Sequence, residues 1–246
     1  MQRVVIVTGG GRGIGKEIAL SVSRRGDFTA VIDKDYDMAL ETENLIGKAK
    51  GKGAAYQADL TEPDEVVRVF KKIAADNRNI AGLVNNAGGH YQPKPIEELT
   101  VDFWNMVIDS NLKSAFLCSL EAFKYMRANG YGKIVNISST LFVTSGLGLS
   151  PYIAAKGGVV GLTRAFAVDM GPFNISVNAI APGLTLTDYA YKTLGKDRFA
   201  FVKGLKAIKR DQRPDDLIGT ILFLLDSGSD FLTGQTLVVD GGRAFL

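Results

Sequence analysis

The sequence predicts an α/β domain in which helices cover both faces of one parallel sheet. Three observations point there. Short β-branched runs alternate with longer segments of helical period along the 246 residues. Those runs are near-continuously apolar, as strands buried on both faces are. The first run ends in a glycine-rich turn that opens a helix.

Taken in order, "RVVIVTG" is the first buried strand, and "KEIALSVSRRG" is a helix that ends at Gly26. "FTAVID" is the second strand, "MALETENLIGKAK" a helix, and "GAAYQADL" the third strand with its loop. "PDEVVRVFKKIAAD" carries Pro63 near its start and apolar residues at helical spacing, so it is a helix. "IAGLVNNAG" is the fourth strand. Two long helical stretches flank "GKIVNISS", the fifth. "ISVNAIAPG" and "GQTLVVDGG" are the sixth and seventh. Residues 1–246 form a single domain with no internal repeat or Pro/Ser-rich linker. The one irregular region runs from Gly183 to about Lys209, and a substrate loop or lid is expected at about 184–210.

With 46% apolar and 22% charged residues, the chain is expected to bury a large core. A net charge of +3 gives no reason to expect a nucleic-acid partner. Cys118 is the single cysteine and His90 the single histidine, so neither a disulfide framework nor a Cys/His zinc site can form within the chain, and no metal is expected. The apolar run at the start is too short for a signal-peptide core, and no run approaches the roughly 18 residues that cross a bilayer. The expectation is a soluble cytoplasmic protein without a membrane partner.

The turn "TGGGRGIG" sets Thr8, Gly9, Gly13 and Gly15 in the order T-G-x-x-x-G-x-G. Gly9 permits a tight turn out of the strand, Gly13 lets backbone approach a phosphate, and Gly15 lets the helix pack on the sheet. The helix N-terminus then offers unpaired N–H groups to a pyrophosphate. Asp33 ends the second strand, where a carboxylate accepts from ribose hydroxyls and repels a 2′-phosphate, favouring NAD over NADP. Arg12 in the glycine loop and Lys34 beside the acid are cations that can meet a 2′-phosphate, so NADP stays open.

"TGGGRGIG", "NNAG" (85–88), "YIAAK" (152–156) and "APG" (181–183) stand in an order and spacing that resemble the short-chain dehydrogenases/reductases, over essentially the whole chain to "VVDGG". The resemblance implies a Rossmann-type doubly wound seven-stranded sheet, a nicotinamide cofactor and a homotetramer. It places the active site on Asn111, Ser139, Tyr152 and Lys156. Ser139 is preferred to Ser138 because the family's serine precedes its tyrosine by about thirteen positions. Ile14 joins Gly9, Arg12, Gly13, Gly15 and Asp33 in the implied cofactor site. Asp59 and Leu60 are implied at the adenine, and Asn86, Ala87 and Gly88 along the adenosine ribose. Pro182, Gly183, Thr185 and Thr187 are implied at the nicotinamide half. Thr185 and Phe142 depart from the family's usual residues, and Phe142 is expected to reshape the substrate pocket.

On a helix, Tyr152 and Lys156 share a face. An ammonium about 4 Å from a phenol is worth roughly 4 kcal/mol at an effective dielectric of 20, which predicts a phenol pKa lowered by about two to three units. The chemistry expected is hydride transfer between an alcohol and a ketone. Tyr152 is the general acid/base, Ser139 orients the substrate oxygen, Lys156 also holds the nicotinamide ribose, and Asn111 relays protons through water.

His90 is expected in a loop, Trp104 in a helix interface and Cys118 in the core. The basic residues Lys192, Lys196, Arg198, Lys203, Lys206, Lys209 and Arg210 form a solvated face or attract an acidic substrate. Three functions follow: an NAD-dependent secondary-alcohol dehydrogenase or ketone reductase, a 3-oxoacyl thioester (ACP/CoA) reductase, or a dinucleotide-binding sensor or scaffold without turnover.

Overall fold

Side chains alternate along a strand, so an all-apolar strand must be covered on both sides. The computed structural model, which describes residues 2–75, 79–89 and 91–246, shows this arrangement. The strands are β1 (Arg3–Thr8), β2 (Phe28–Asp33), β3 (Lys52–Gln57), β4 (Asn79–Asn85), β5 (Gly132–Ile137), β6 (Ile175–Pro182) and β7 (Thr236–Val239). They form one sheet in the order β3-β2-β1-β4-β5-β6-β7, and every pairing is parallel.

The helices are α1 (Gly13–Arg24), α2 (Tyr36–Lys48), α3 (Pro63–Ala75), α4 (Val101–Ile108), α5 (Ser114–Asn129), α6 (Leu141–Thr144), α7 (Ser150–Met170), α8 (Asp188–Leu205) and α9 (Asp215–Leu224). Val4 and Ile6 of β1 face a core shared with Phe70 of α3, Cys118 of α5 and Phe166 of α7. Val5 and Val7 face the opposite core, with Ile18 of α1, Ile46 of α2 and Ile221 of α9. Cys118 is buried as expected.

Because β1 lies between β2 and β4, the chain reverses its direction of travel across the sheet at β1 and β4. The C-terminal ends of these strands border the crevice where open α/β sheets bind ligands.

Two expectations change here. The segment after β6 is not irregular: α8 occupies Asp188–Leu205, in two pieces separated at Gly195 (φ 74°, ψ 167°). Only Phe199 and Val202 of α8 are buried, so the segment lacks the apolar stripe that reveals a helix in sequence. Trp104 is 43% exposed in the chain rather than packed between its helices. His90 lies outside the described residues. Among those described, no helix is long and apolar enough to cross a membrane, and no group of acidic, His or Cys side chains could hold a metal ion.

Candidate active site

β1 and β4 are joined at their ends by the two motifs that terminate them. The Thr8 hydroxyl donates to Val84 O at 3.2 Å and accepts from the N–H groups of Asn86 and Ala87, both at 3.0 Å. Asn86 Nδ2 donates to Thr8 O and Gly9 O, each at 3.0 Å. The Asn86 side chain therefore locks the glycine loop to β4.

The glycine loop is built too tightly for side chains. A Cβ on Gly15 would lie 2.0 Å from Gly9 O, and one on Gly9 would lie 2.9 Å from Ala87 Cα. Gly9 and Gly13 both have φ near +60° (61° and 55°), which glycine adopts without strain. Around Gly13 the nearest atom to an added Cβ is Thr187 Cγ2 at 3.4 Å, so the loop after β6 comes down onto the phosphate-type cradle. Ile14 packs against the α1-side core. The bare loop, left-handed glycines and free helix N-terminus fit a dinucleotide pyrophosphate.

Asp33 closes the other side of the loop. Its two carboxylate oxygens accept the N–H groups of Gly11 at 3.0 Å and Asp35 at 3.1 Å. Lys34 turns away to Asp59, with 2.6 Å between Nζ and Oδ2. Burial raises the Asp59 carboxyl, but Lys34 and Thr61 outweigh it and hold its pKa below the usual value. The Leu60 side chain packs in the core. The Arg12 guanidinium lies 4.7 Å over the Tyr189 ring.

Of the four sequence-predicted residues, Ser139, Tyr152 and Lys156 meet beyond β5, and Asn111 lies against Gly88 after β4. Asn111 lies in a π-helical turn, Asp109–Lys113, that interrupts the run from α4 to α5. Its Nδ2 donates to Val107 O at 3.0 Å and Ser110 Oγ at 3.1 Å, while its buried Oδ1 has no protein partner. Gly88 (φ 145°) passes so close that an added Cβ would sit 2.4 Å from that Oδ1.

Ser139 follows β5 and its hydroxyl hydrogen-bonds Tyr152. The neighbouring Ser138 does something else: its Oγ donates to Lys156 O at 2.8 Å, fastening α7 to the strand end. Lys156 is 5% exposed, and its Nζ donates to Ile137 O at 2.9 Å and lies 5.7 Å from the Tyr152 ring centre.

The expected lowering of the tyrosine pKa is not what this environment produces. Burial pushes the Tyr152 phenol up to about 12, and the Ser139 hydrogen bond only partly opposes it. Burial also pulls Lys156 down to about 8, so the ammonium is itself held in an unfavourable place. Sharing a helix face brings the groups together, but desolvation sets their proton affinities.

At the other wall, Pro182 O accepts from Thr140 N at 3.0 Å. Gly183 packs on Asp240, where a Cβ would meet Asp240 Cβ at 2.8 Å. Thr185 spends its hydroxyl on Gly183 O at 3.1 Å, and Thr187 caps α8 by accepting from Ala190 N at 3.2 Å. Phe142 is partly buried on α6. A cleft of about 310 Å³ opens at the start of α8, lined by Leu186, Thr187, Asp188, Tyr191 and Lys192.

The basic residues of α8 and beyond are mostly engaged. Arg210 pairs with Asp216 at 2.6 Å, Lys203 with Asp211 at 3.9 Å, Lys209 donates to Gly204 O at 2.8 Å, and Lys206 is buried. Arg198 lies 5.7 Å over Phe201. Of the set, Lys192 lines the cleft. Tyr91, Ser110, Tyr189 and Gln212 also shape the site, and no motif marks them in the sequence.

Known proteins resemble this chain along nearly its whole length. A family model described as enoyl-(acyl carrier protein) reductase matches residues 9–244. The chain is 35% identical over 242 residues to the (2S)-[(R)-hydroxy(phenyl)methyl]succinyl-CoA dehydrogenase subunit BbsD of Thauera aromatica, covering 98% of this chain and 96% of that protein. It is 32% identical over 246 residues to the 3-oxoacyl-[acyl-carrier-protein] reductase FabG of Staphylococcus aureus, covering 98% of each. A solved short-chain type dehydrogenase/reductase from Mycobacterium ulcerans superposes with a TM-score of 0.93 at 26% identity, over 98% of this chain and 89% of that one.

Proposed function

The chain belongs to the short-chain dehydrogenase/reductase family of oxidoreductases, and from that premise we propose that it interconverts a secondary alcohol and a ketone with NAD(H). The observation that carries this reading is the Tyr152 hydroxyl bonded to Ser139, with buried Lys156 behind it on the same helix face.

A bound nicotinamide dinucleotide supplies the hydride acceptor in oxidation and the hydride donor in reduction. The chain's own residues handle the oxygen and its proton. Tyr152 Oη takes the alcohol proton in oxidation and gives a proton to the carbonyl oxygen in reduction. Ser139 Oγ orients that oxygen by hydrogen bonding. Lys156 keeps positive charge near the phenol and would hold the nicotinamide ribose. The unpartnered Oδ1 of Asn111 suits a water that passes protons onward. With a phenol near 12, the resting chain is poised as an acid, and oxidation needs added positive charge at the site to release the proton.

Asp33, with both oxygens ordered by backbone N–H groups, favours NAD by accepting ribose hydroxyls. Exposed Trp104, Met106, Phe116 and Leu120 on α4 and α5 support assembly into a homotetramer. The lone, buried Cys118 suits the cytoplasm.

A second reading, reduction of a 3-oxoacyl thioester, draws on the full-length similarity to FabG and on Lys192 at the cleft. Absorbance at the NADH band, over alcohols, ketones and 3-oxoacyl thioesters with both cofactors, separates the two. Replacing Tyr152 by Phe should lower kcat by at least about 100-fold while the Kd for NADH stays within twofold. Normal turnover in that variant would refute the acid/base role. Tight NADH binding without turnover in the wild type would make the protein a sensor.

A further inference from the structure

Two cationic residues neighbour Asp33 through the backbone, Lys34 directly after it and Arg12 after the Gly11 that donates to it, and both side chains have other partners. Lys34 is paired with Asp59 at 2.6 Å. Arg12 follows Gly11, whose N–H donates to Asp33, so its side chain starts within reach of whatever the carboxylate binds. Yet its guanidinium lies 4.7 Å over the face of Tyr189.

We propose that Tyr189 withholds Arg12 from the adenosine 2′ position, so that α8, as well as Asp33, selects against a 2′-phosphorylated dinucleotide. This rests on the NAD reading above and extends it to a residue outside the dinucleotide motifs.

A guanidinium is the side chain best shaped to clamp a phosphate, through two parallel hydrogen bonds. To do so, Arg12 must leave the aromatic face and give up that attraction. The ring cannot simply follow it. Tyr189 sits in the first turn of α8, which Thr187 caps. The same helical piece is held before the Gly195 break by Gln92, whose Nε2 donates to Thr193 O at 2.9 Å. Tyr189 is 47% exposed, so removing its ring leaves the core intact.

Adenosine 2′,5′-bisphosphate and 5′-AMP differ only in the 2′-phosphate and need no turnover to be scored. Both are titrated calorimetrically into the wild type, Tyr189→Ala, Tyr189→Phe and the double variant Arg12→Ala/Tyr189→Ala. In Tyr189→Ala the bisphosphate should bind about two- to fivefold more tightly, the worth of one exposed cation–π contact, with 5′-AMP unchanged. Tyr189→Phe should match the wild type, and the double variant should show no gain. An unchanged ratio in Tyr189→Ala, or a gain that survives the loss of Arg12, overturns the proposal. A wild type that already prefers the bisphosphate refutes the NAD reading instead. The difference between Tyr189→Ala and Tyr189→Phe still judges the role of Tyr189.

Discussion

Lys156 is charged at neutral pH but sits almost without water, and that tension can be measured in the folding equilibrium. Its pKa falls from 10.5 in the unfolded chain to about 8 in the fold. Below pH 8 both states carry the proton and the fold bears the full burial cost. Between pH 8 and 10.5 the folded chain releases the proton while the unfolded chain keeps it, so stability rises with pH. Above 10.5 the cost is gone. The shift is worth about 3 kcal/mol. Urea titrations of the wild type and Lys156→Met across this window should show the wild type gaining up to about 3 kcal/mol relative to the variant. Parallel pH profiles would mean that the ammonium is not desolvated as its surroundings indicate. Tyr152 carries the matching lesson. The i, i+4 spacing correctly puts it beside Lys156, but spacing carries no information on how much water reaches either group.

At the scale of the element, the site depends on departures from regular structure. The π turn at Asp109–Lys113 aims Asn111 inward, and Tyr91 steadies that turn with its hydroxyl 2.7 Å from Ser110 Oγ. The loop from β6 to α8 is held from below by Gln212. Its main-chain oxygen accepts Leu186 N at 2.7 Å and its Nε2 donates to Val239 O at 2.7 Å. Its buried Oε1 is unpaired and faces Gly183, where an added Cβ would be 2.9 Å away. If this loop serves the nicotinamide half, Gln212→Ala should weaken NADH roughly two- to tenfold, the range of one net hydrogen bond, and leave ADP-ribose unaffected. Equal losses for both ligands would remove Gln212 from that role. Sequence patterns could not reveal these features. The π turn hides within an apolar helical period, and α8 buries too few residues to show a stripe.

Across the whole molecule, a buried polar chain ties the layers together beneath the site. Asn85 of β4 donates to Asn136 Oδ1 at 2.8 Å and to Ser119 Oγ of α5 at 2.9 Å, and Asn136 of β5 donates to Thr163 Oγ1 of α7 at 2.9 Å. Asn136 is fully buried, so Asn136→Ala leaves one amide N–H of Asn85 without its acceptor and takes the donor from Thr163 Oγ1, whose own hydrogen stays on Val159 O. The expected loss is about 2–3 kcal/mol in denaturant unfolding; a loss under about 0.5 kcal/mol would show that water replaces the amide. The strand and helix succession, the two-sided burial of the sheet and the glycine turn were legible from the sequence, because apolar period and glycine placement are local properties. The amino-acid order by itself thus determined which faces are buried and which residue types stand at strand ends. Only the tertiary structure decided that burial pushes the Tyr152 phenol up to about 12, that Lys34 and Arg12 are taken up by Asp59 and Tyr189, and that Trp104 is exposed within the single chain. Desolvation and pairing between distant segments are properties of the packed chain, and no window of neighbouring residues contains them.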